Sequence, residues 1–129
     1  MKKTIILLAL TFTVMFSSPS FADWRWVSKS VDGDTFYVDF ERIRKHGGYV
    51  YFWYLTDYLK PGESGVWSGK TYRQGDCKLI RFKGLSYSFH KEPMGGGTGE
   101  PHTPPEKWGY PPPNSIFETL LKSVCAYAK

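Results

Sequence analysis

Residues 49–58, Tyr49-Val50-Tyr51-Phe52-Trp53-Tyr54-Leu55-Thr56-Asp57-Tyr58, set six aromatic and two branched aliphatic side chains in ten positions, with no Gly or Pro. That composition is a β-strand. Side chains on a strand alternate, so Val50, Phe52 and Tyr54 fall on one face and Tyr49, Tyr51, Trp53 and Leu55 on the other. Neither face is polar. The run therefore reads as a central strand covered on both surfaces, and two uses of the rings stay open. They form an aromatic core with half-buried tyrosines, or one of the faces binds a ligand.

The chain begins with a short basic segment, Met1-Lys2-Lys3, followed by an uncharged apolar run from Thr4 to Phe16 and the small-x-small site Ser20-Phe21-Ala22. This order predicts a secretory signal peptide, residues 1–22, cleaved after Ala22. Thirteen residues fall short of the roughly 20 that a membrane-spanning helix needs. No Cys follows the apolar run, so a lipid anchor is not expected. The mature chain would be Asp23–Lys129, one domain by length. Without Lys2 and Lys3 it would carry 15 basic and 12 acidic side chains, a formal charge of +3. The charges are interspersed, which argues against nucleic acid as a partner. The expected location is the periplasm or the medium.

Two cysteines, Cys77 and Cys125, remain in a chain that would leave the cytoplasm, and one disulfide is expected. On the chain-entropy model a bridge closing this loop stabilises a fold by roughly 4 kcal/mol. No Cys-x-x-Cys or Cys/His cluster accompanies either residue, so a metal site is not expected.

Along the chain, Trp24 to Ser30 reads as a first strand, Asp32-Gly33 as a hairpin turn and Thr35 to Phe40 as the returning strand. The Asp32-x-Asp34 pair lacks the remaining ligands of a calcium loop, since Phe36, Tyr37 and Ile43 stand where ligands and a Gly are needed. Residues 41–45 form a charged connector, and Pro61-Gly62 ends the aromatic strand. Residues 63–70 read as an exposed loop carrying Trp67, and residues 71–74 as a short strand. From Cys77 to His90 runs a β-like segment that Gly84 divides by a bulge or bend, with Leu85, Tyr87 and Phe89 inward and Ser86, Ser88 and His90 toward solvent. Residues 91–113, dense in Gly and Pro, read as a mobile loop that touches the domain at Trp108-Gly109-Tyr110. Ser115-Ile116-Phe117-Glu118 is a capping box opening an amphipathic helix, whose stripe is Phe117, Leu120, Leu121, Val124 and Ala128. The fold class expected is α+β: a single antiparallel sheet of five to six strands, with the C-terminal helix packed on it and tied by the Cys77–Cys125 bridge.

No catalytic constellation is legible. His46, His90 and His102 are scattered, no Ser sits in a Gly-x-Ser-x-Gly elbow, and Gly95-Gly96-Gly97-x-Gly99 lacks the Lys-Ser/Thr of a phosphate loop. The chain reads as a non-enzyme without cofactor. Trp67, Trp108 and Tyr110 are the candidate partner-binding residues.

The order of features resembles the surface-adhesin protein E-like family of small exported bacterial proteins. The residues that carry the resemblance are Trp24-x-Trp26-Val27, the hairpin from Asp32 to Asp39, Ile43, and Trp53-Tyr54-Leu55-Thr56-Asp57-Tyr58. Ser68-x-Lys70, Asp76-Cys77, Trp108-Gly109-Tyr110, Pro113-Asn114-Ser115 and Val124-Cys125 complete it. The resemblance implies an antiparallel sheet with a disulfide-tied C-terminal helix, and an adhesin-like role toward host extracellular proteins. These motifs are core and turn positions, so the resemblance carries over no binding residue. Three readings follow. A binding module for a protein or glycan, using exposed aromatics and basic side chains on the sheet face or loops, would show an exposed apolar patch of several hundred Å². A structural or assembly protein, homodimeric through a sheet edge, would show a long flat unpaired edge strand. A hydrolase or inhibitor would show a deep polar pocket with converging His, Asp or Ser.

Overall fold

The computed structural model describes residues 21–129, so the expected signal peptide lies outside the described residues apart from Phe21 and Ala22. The chain opens with a hairpin of β1 (Arg25–Lys29) and β2 (Thr35–Val38), turned at Asp32-Gly33 with Gly33 at φ +93°. After a 3₁₀ turn at Phe40–Arg42 comes a second hairpin, β3 (Arg44–His46) and β4 (Tyr49–Asp57). Its two-residue link, Gly47-Gly48, has φ of +59° and +83°, the left-handed pair that a tight hairpin demands and that glycine adopts without strain. Next follow β5 (Ser68–Asp76), β6 (Arg81–His90), the two-residue strands β7 (Pro101–His102) and β8 (Trp108–Gly109), and the helix α1 (Ile116–Tyr127).

All eight strands form one antiparallel sheet in the order β1-β2-β4-β5-β6-β7. β3 lies beside the first residues of β4 while β2 pairs with the last, and β8 joins β6 at Phe82–Lys83. The expected fold class holds. The sheet exceeds five to six strands through the short pieces β3, β7 and β8, drawn from segments too brief or too rich in Pro to show a strand pattern.

Helix α1 lies across one face. Leu120, Leu121 and Val124 are buried against Phe36, Val38, Val50, Phe52 and Tyr54. Each such side chain contributes about 1.5–3 kcal/mol of burial. The helix packs tightly over Gly75, where a Cβ would stand 2.7 Å from Leu121 Cδ1 and 2.9 Å from Val50 Cγ2. Ser115 caps α1 by accepting from the Glu118 N–H at 3.2 Å, and Glu118 Oε1 accepts from the Asn114 N–H at 3.0 Å. Cys77, in the turn after β5, bridges Cys125 on α1 with Cα atoms 5.8 Å apart, as expected. The helix is shorter than the sheet. Beyond Phe117 it leaves Thr56, Gly69, Thr71 and Gly84 beneath an open groove.

Four local expectations are corrected. Ser68, Gly69 and Lys70 belong to β5 rather than to an exposed loop, and Ser68 is fully buried. Residues 77–80 turn rather than extend, because the Asp76 carboxylate accepts from the N–H groups of Lys78 (3.0 Å) and Leu79 (3.2 Å). Gly84 does stand beside a bulge, at Leu85, but β6 continues through it as one strand. The solvent side of that strand is reversed: Ser88 and His90 are buried and Phe89 is 51% exposed. The reason is the segment expected to be a mobile loop, whose first part folds over the sheet. Ser68 Oγ donates to Glu92 O at 2.6 Å and accepts from the Gly95 N–H at 2.8 Å, and Asp57 Oδ1 accepts from the Met94 N–H at 2.8 Å. Backbone hydrogen bonding, invisible in composition, outweighs the Gly and Pro content here.

Candidate binding face

The face of the sheet away from α1 carries the outward alternates of the central strands. β4 supplies Tyr49, Tyr51 and Trp53, and its Leu55 is buried under Gly95. β5 supplies Lys70, Tyr72 and Gln74, and β6 supplies Arg81 and Lys83. The rings touch across strands: Tyr72 lies 4.8 Å from Trp53 and 6.4 Å from Tyr51 between centroids, and Tyr49 lies 5.5 Å from Trp108 on β8. All five are half-exposed. Such pairs gain about 0.5–1.5 kcal/mol beyond area burial while leaving ring faces to solvent. Partial burial, then Tyr51, raises the Tyr72 hydroxyl above its ordinary pKa, with Arg44 acting in the opposite direction, so it stays a neutral donor.

Cations frame these rings. The Arg81 guanidinium carbon stands 4.1 Å, and Lys83 Nζ 4.6 Å, from the centre of the Trp108 ring. Arg81 Nε donates to Asp76 Oδ2 at 3.0 Å. Burial alone would raise the Asp76 carboxyl, but hydrogen bonds from Arg81 and from the Leu79 and Lys78 N–H groups hold it below the ordinary carboxylate range. The hydrogen bond to Asp76 in turn raises Arg81, with the Tyr110 hydroxyl as a second partner.

Two of the three residues singled out from the sequence meet at this corner. Trp108 is half-buried against Tyr49, Arg81 and Lys83, and Tyr110, 63% exposed, is beside Arg81. Trp67 is elsewhere. It precedes β5, whereas Trp108 pairs with Lys83, the partner of Gln74, seven positions further along β5. At about 3.4 Å per residue the two lie roughly 24 Å apart along the strand. Trp67 instead borders a separate depression of about 370 Å³ with Lys29, Tyr58 and Pro93. Sequence reading missed Tyr72, Lys70, Arg81 and Lys83. The alternation Ser68-x-Lys70-x-Tyr72-x-Gln74 would have revealed the first two, had β5 been given its full length.

The three histidines do not converge. His46 is exposed on β3, and His102 stacks on Tyr87 at 5.3 Å. His90 is 2% exposed, with Nδ1 3.1 Å from Gly96 O and Nε2 2.8 Å from Ser88 Oγ. A carbonyl only accepts, so Nδ1 carries the proton and Nε2 accepts from the Ser88 hydroxyl. This pair holds the 93–97 segment down. Among the described residues no group of three or more His, Cys, Asp or Glu could hold a metal ion, and no helix is long and apolar enough to cross a membrane.

The fold and this open face define a small disulfide-tied α+β domain. The family Surface-adhesin protein E matches residues 24–126, and the chain belongs to it. Solved structures of Haemophilus influenzae protein E share the fold. Crystal form II matches with TM-score 0.62 at 18% identity, covering 86% of this chain and 94% of that one. Protein E from non-typeable Haemophilus influenzae matches with TM-score 0.56 at 17% identity, covering 84% and 79%. No curated protein matches the chain. Membership of this family points to an adhesin-like surface protein.

Proposed function

We propose that the protein is a binding module that engages a protein or glycan partner outside the cytoplasm through the open sheet face. The observation that carries this reading is the half-exposed ring cluster Tyr51, Trp53 and Tyr72, extended by Tyr49 and Trp108 and framed by Arg44, Lys70, Arg81 and Lys83. Exposed π faces take up sugar rings or apolar side chains, and flanking cations select partners that carry carboxylate or sulfate. Trp108 and Tyr110 are the contacts at one corner, and Trp67 is a separate contact at the opposite end.

The homodimer reading is less well supported. β1, at one end of the sheet, is five residues long, bulged between Trp26 and Ser28, and bounded by Arg25 and Lys29, while at the other end β7 and β8 cap β6 at Tyr87–Ser88 and Phe82–Lys83. Short, bulged, charged edges discourage edge-to-edge pairing.

The test uses the full chain, exported and purified from the envelope, on surfaces bearing extracellular-matrix proteins and sulfated glycans. Binding by wild type that is lost in a folded Trp53→Ala/Tyr72→Ala variant and retained in Trp67→Ala is expected. Equal binding by the first variant and wild type would remove the sheet face from consideration.

A further inference from the structure

On the helix side of the sheet, β5 places an arginine where its neighbours place rings. Arg73 pairs with Phe52 on β4 and Gly84 on β6. Its guanidinium carbon lies 3.8 Å from the centre of the Phe82 ring and 4.7 Å from those of Tyr54 and Phe117. No ion pair among the described residues includes it. Its Nε is enclosed and has no hydrogen-bond partner. Burial lowers its pKa, with the neighbouring Tyr54 acting in the opposite direction. A guanidinium nonetheless stays charged in a protein. A half-buried cation without an anion is costly, and stacking on rings offsets only part of that cost. Packing alone would be served by Leu or Met.

The cation borders the groove left beyond the end of α1, a cavity of about 460 Å³. Gly69, Thr71 and Gly84 floor it, and Phe36, Tyr87 and Phe89 wall it. That volume falls within the range of small-molecule sites. The acid lining it, Asp34, already accepts from the Leu59 N–H at 2.9 Å and does not pair with Arg73. We infer that this groove binds a small monocarboxylate with an apolar body, the carboxylate meeting Arg73 and the body lying between Phe36, Tyr87 and Phe89. One cation among rings balances one negative charge. A dianionic phosphate would leave a charge uncompensated against apolar walls. The site is on the opposite face from the one proposed above, and does not depend on that reading.

The test titrates the exported full chain with sodium benzoate, sodium hexanoate, benzyl alcohol and inorganic phosphate, followed by the Arg73 Nε–Hε resonance and the ring protons of Phe82 and Phe117. Saturable shifts with the two carboxylates, at least about tenfold weaker with benzyl alcohol and phosphate, are expected from a charge-assisted hydrogen bond. R73M should abolish the preference for benzoate over benzyl alcohol. Should R73M fail to fold, Gly69→Leu fills the floor while Arg73 remains, because a Cβ there meets Phe89 Cδ1 at an ordinary 3.6 Å. That variant should lose the shifts altogether. Equal response to benzoate and benzyl alcohol, phosphate binding as tight as benzoate, or titration of Gly69→Leu like wild type would each overturn the assignment. Trp53→Ala/Tyr72→Ala should titrate as wild type, which separates this site from the sheet face.

Discussion

On the helix side of the sheet, Phe36, Val38, Val50, Phe52 and Tyr54 meet Leu120, Leu121 and Val124, and every one of these side chains is buried. On the other side, Tyr49, Tyr51, Trp53 and Tyr72 meet mainly one another and Trp108, and each keeps part of its ring in solvent. The same strand, β4, feeds both faces with rings at alternate positions. The difference lies in what covers them. A twelve-residue helix tied by a disulfide roofs one face, while on the other, among the described residues, the 93–97 segment covers Leu55 and His90 at one corner and leaves the rings half-exposed. Aromatic content therefore does not distinguish a core from a binding face; cover does. The helix side should answer to substitution in stability and the open side in binding.

The largest effect is expected from the tie itself. Replacing Cys125 and Cys77 together by Ser should lower stability by about 4 kcal/mol, read from thermal unfolding of wild type and variant under oxidising conditions. Equal melting temperatures would mean that α1 is held by packing alone. Leu121→Ala comes next, because its side chain is wholly buried and seats on Gly75. A loss of about 3 kcal/mol in denaturant unfolding is expected from a buried Leu→Ala change. Tyr72→Ser on the open side should cost about 1–2 kcal/mol, the scale of its two aromatic pairs, and less than Leu121→Ala. If it cost as much as Leu121→Ala, the contrast between the faces would collapse.

The contrast was half legible in the residues. Period-two alternation in 49–58 showed that both faces of β4 carry rings, and the capping box with its apolar stripe located the helix that covers one of them. Which face stays open could not be read, because cover depends on partners distant in the chain. Ser88 and His90 have the look of a solvent face, yet Ser68 and Asp57, more than 20 positions upstream, pin residues 92–95 above them. Arg73 was unreadable for the same kind of reason. Tyr72-Arg73-Gln74 looks like any polar strand edge until Tyr54, Phe82 and Phe117, from three other elements, close around the guanidinium. Trp67 and Trp108 both read as loop tryptophans and candidate contacts, and the register of β5 with β6 and β8 sets them at different ends of the sheet.

The smallest effect concerns the one roofed corner of the open face. Burial, then the nearby Lys70 ammonium, lowers the His90 pKa below its ordinary value, and the hydrogen bond to Gly96 O opposes this only in part. In the unfolded chain the imidazole takes up a proton near its ordinary pKa of about 6.5. The folded chain resists that proton. The neutral ring thus contributes stability that is fully present above about pH 6.5 and is lost as pH falls toward the lower folded value. Melting temperature should therefore drop between about pH 7.5 and about pH 5.5, and His90→Gln, which cannot titrate, should flatten that part of the curve. Exchange of the Gly95 and Met94 amides, bonded to Ser68 and Asp57, should quicken over the same range as the corner lifts. Among the described residues the ring cluster around Tyr72 has no such roof to lose, and it should keep its binding. An acid loss of binding that tracks His90, and vanishes in His90→Gln, would instead make the 93–97 segment part of the binding face rather than the place where that face ends.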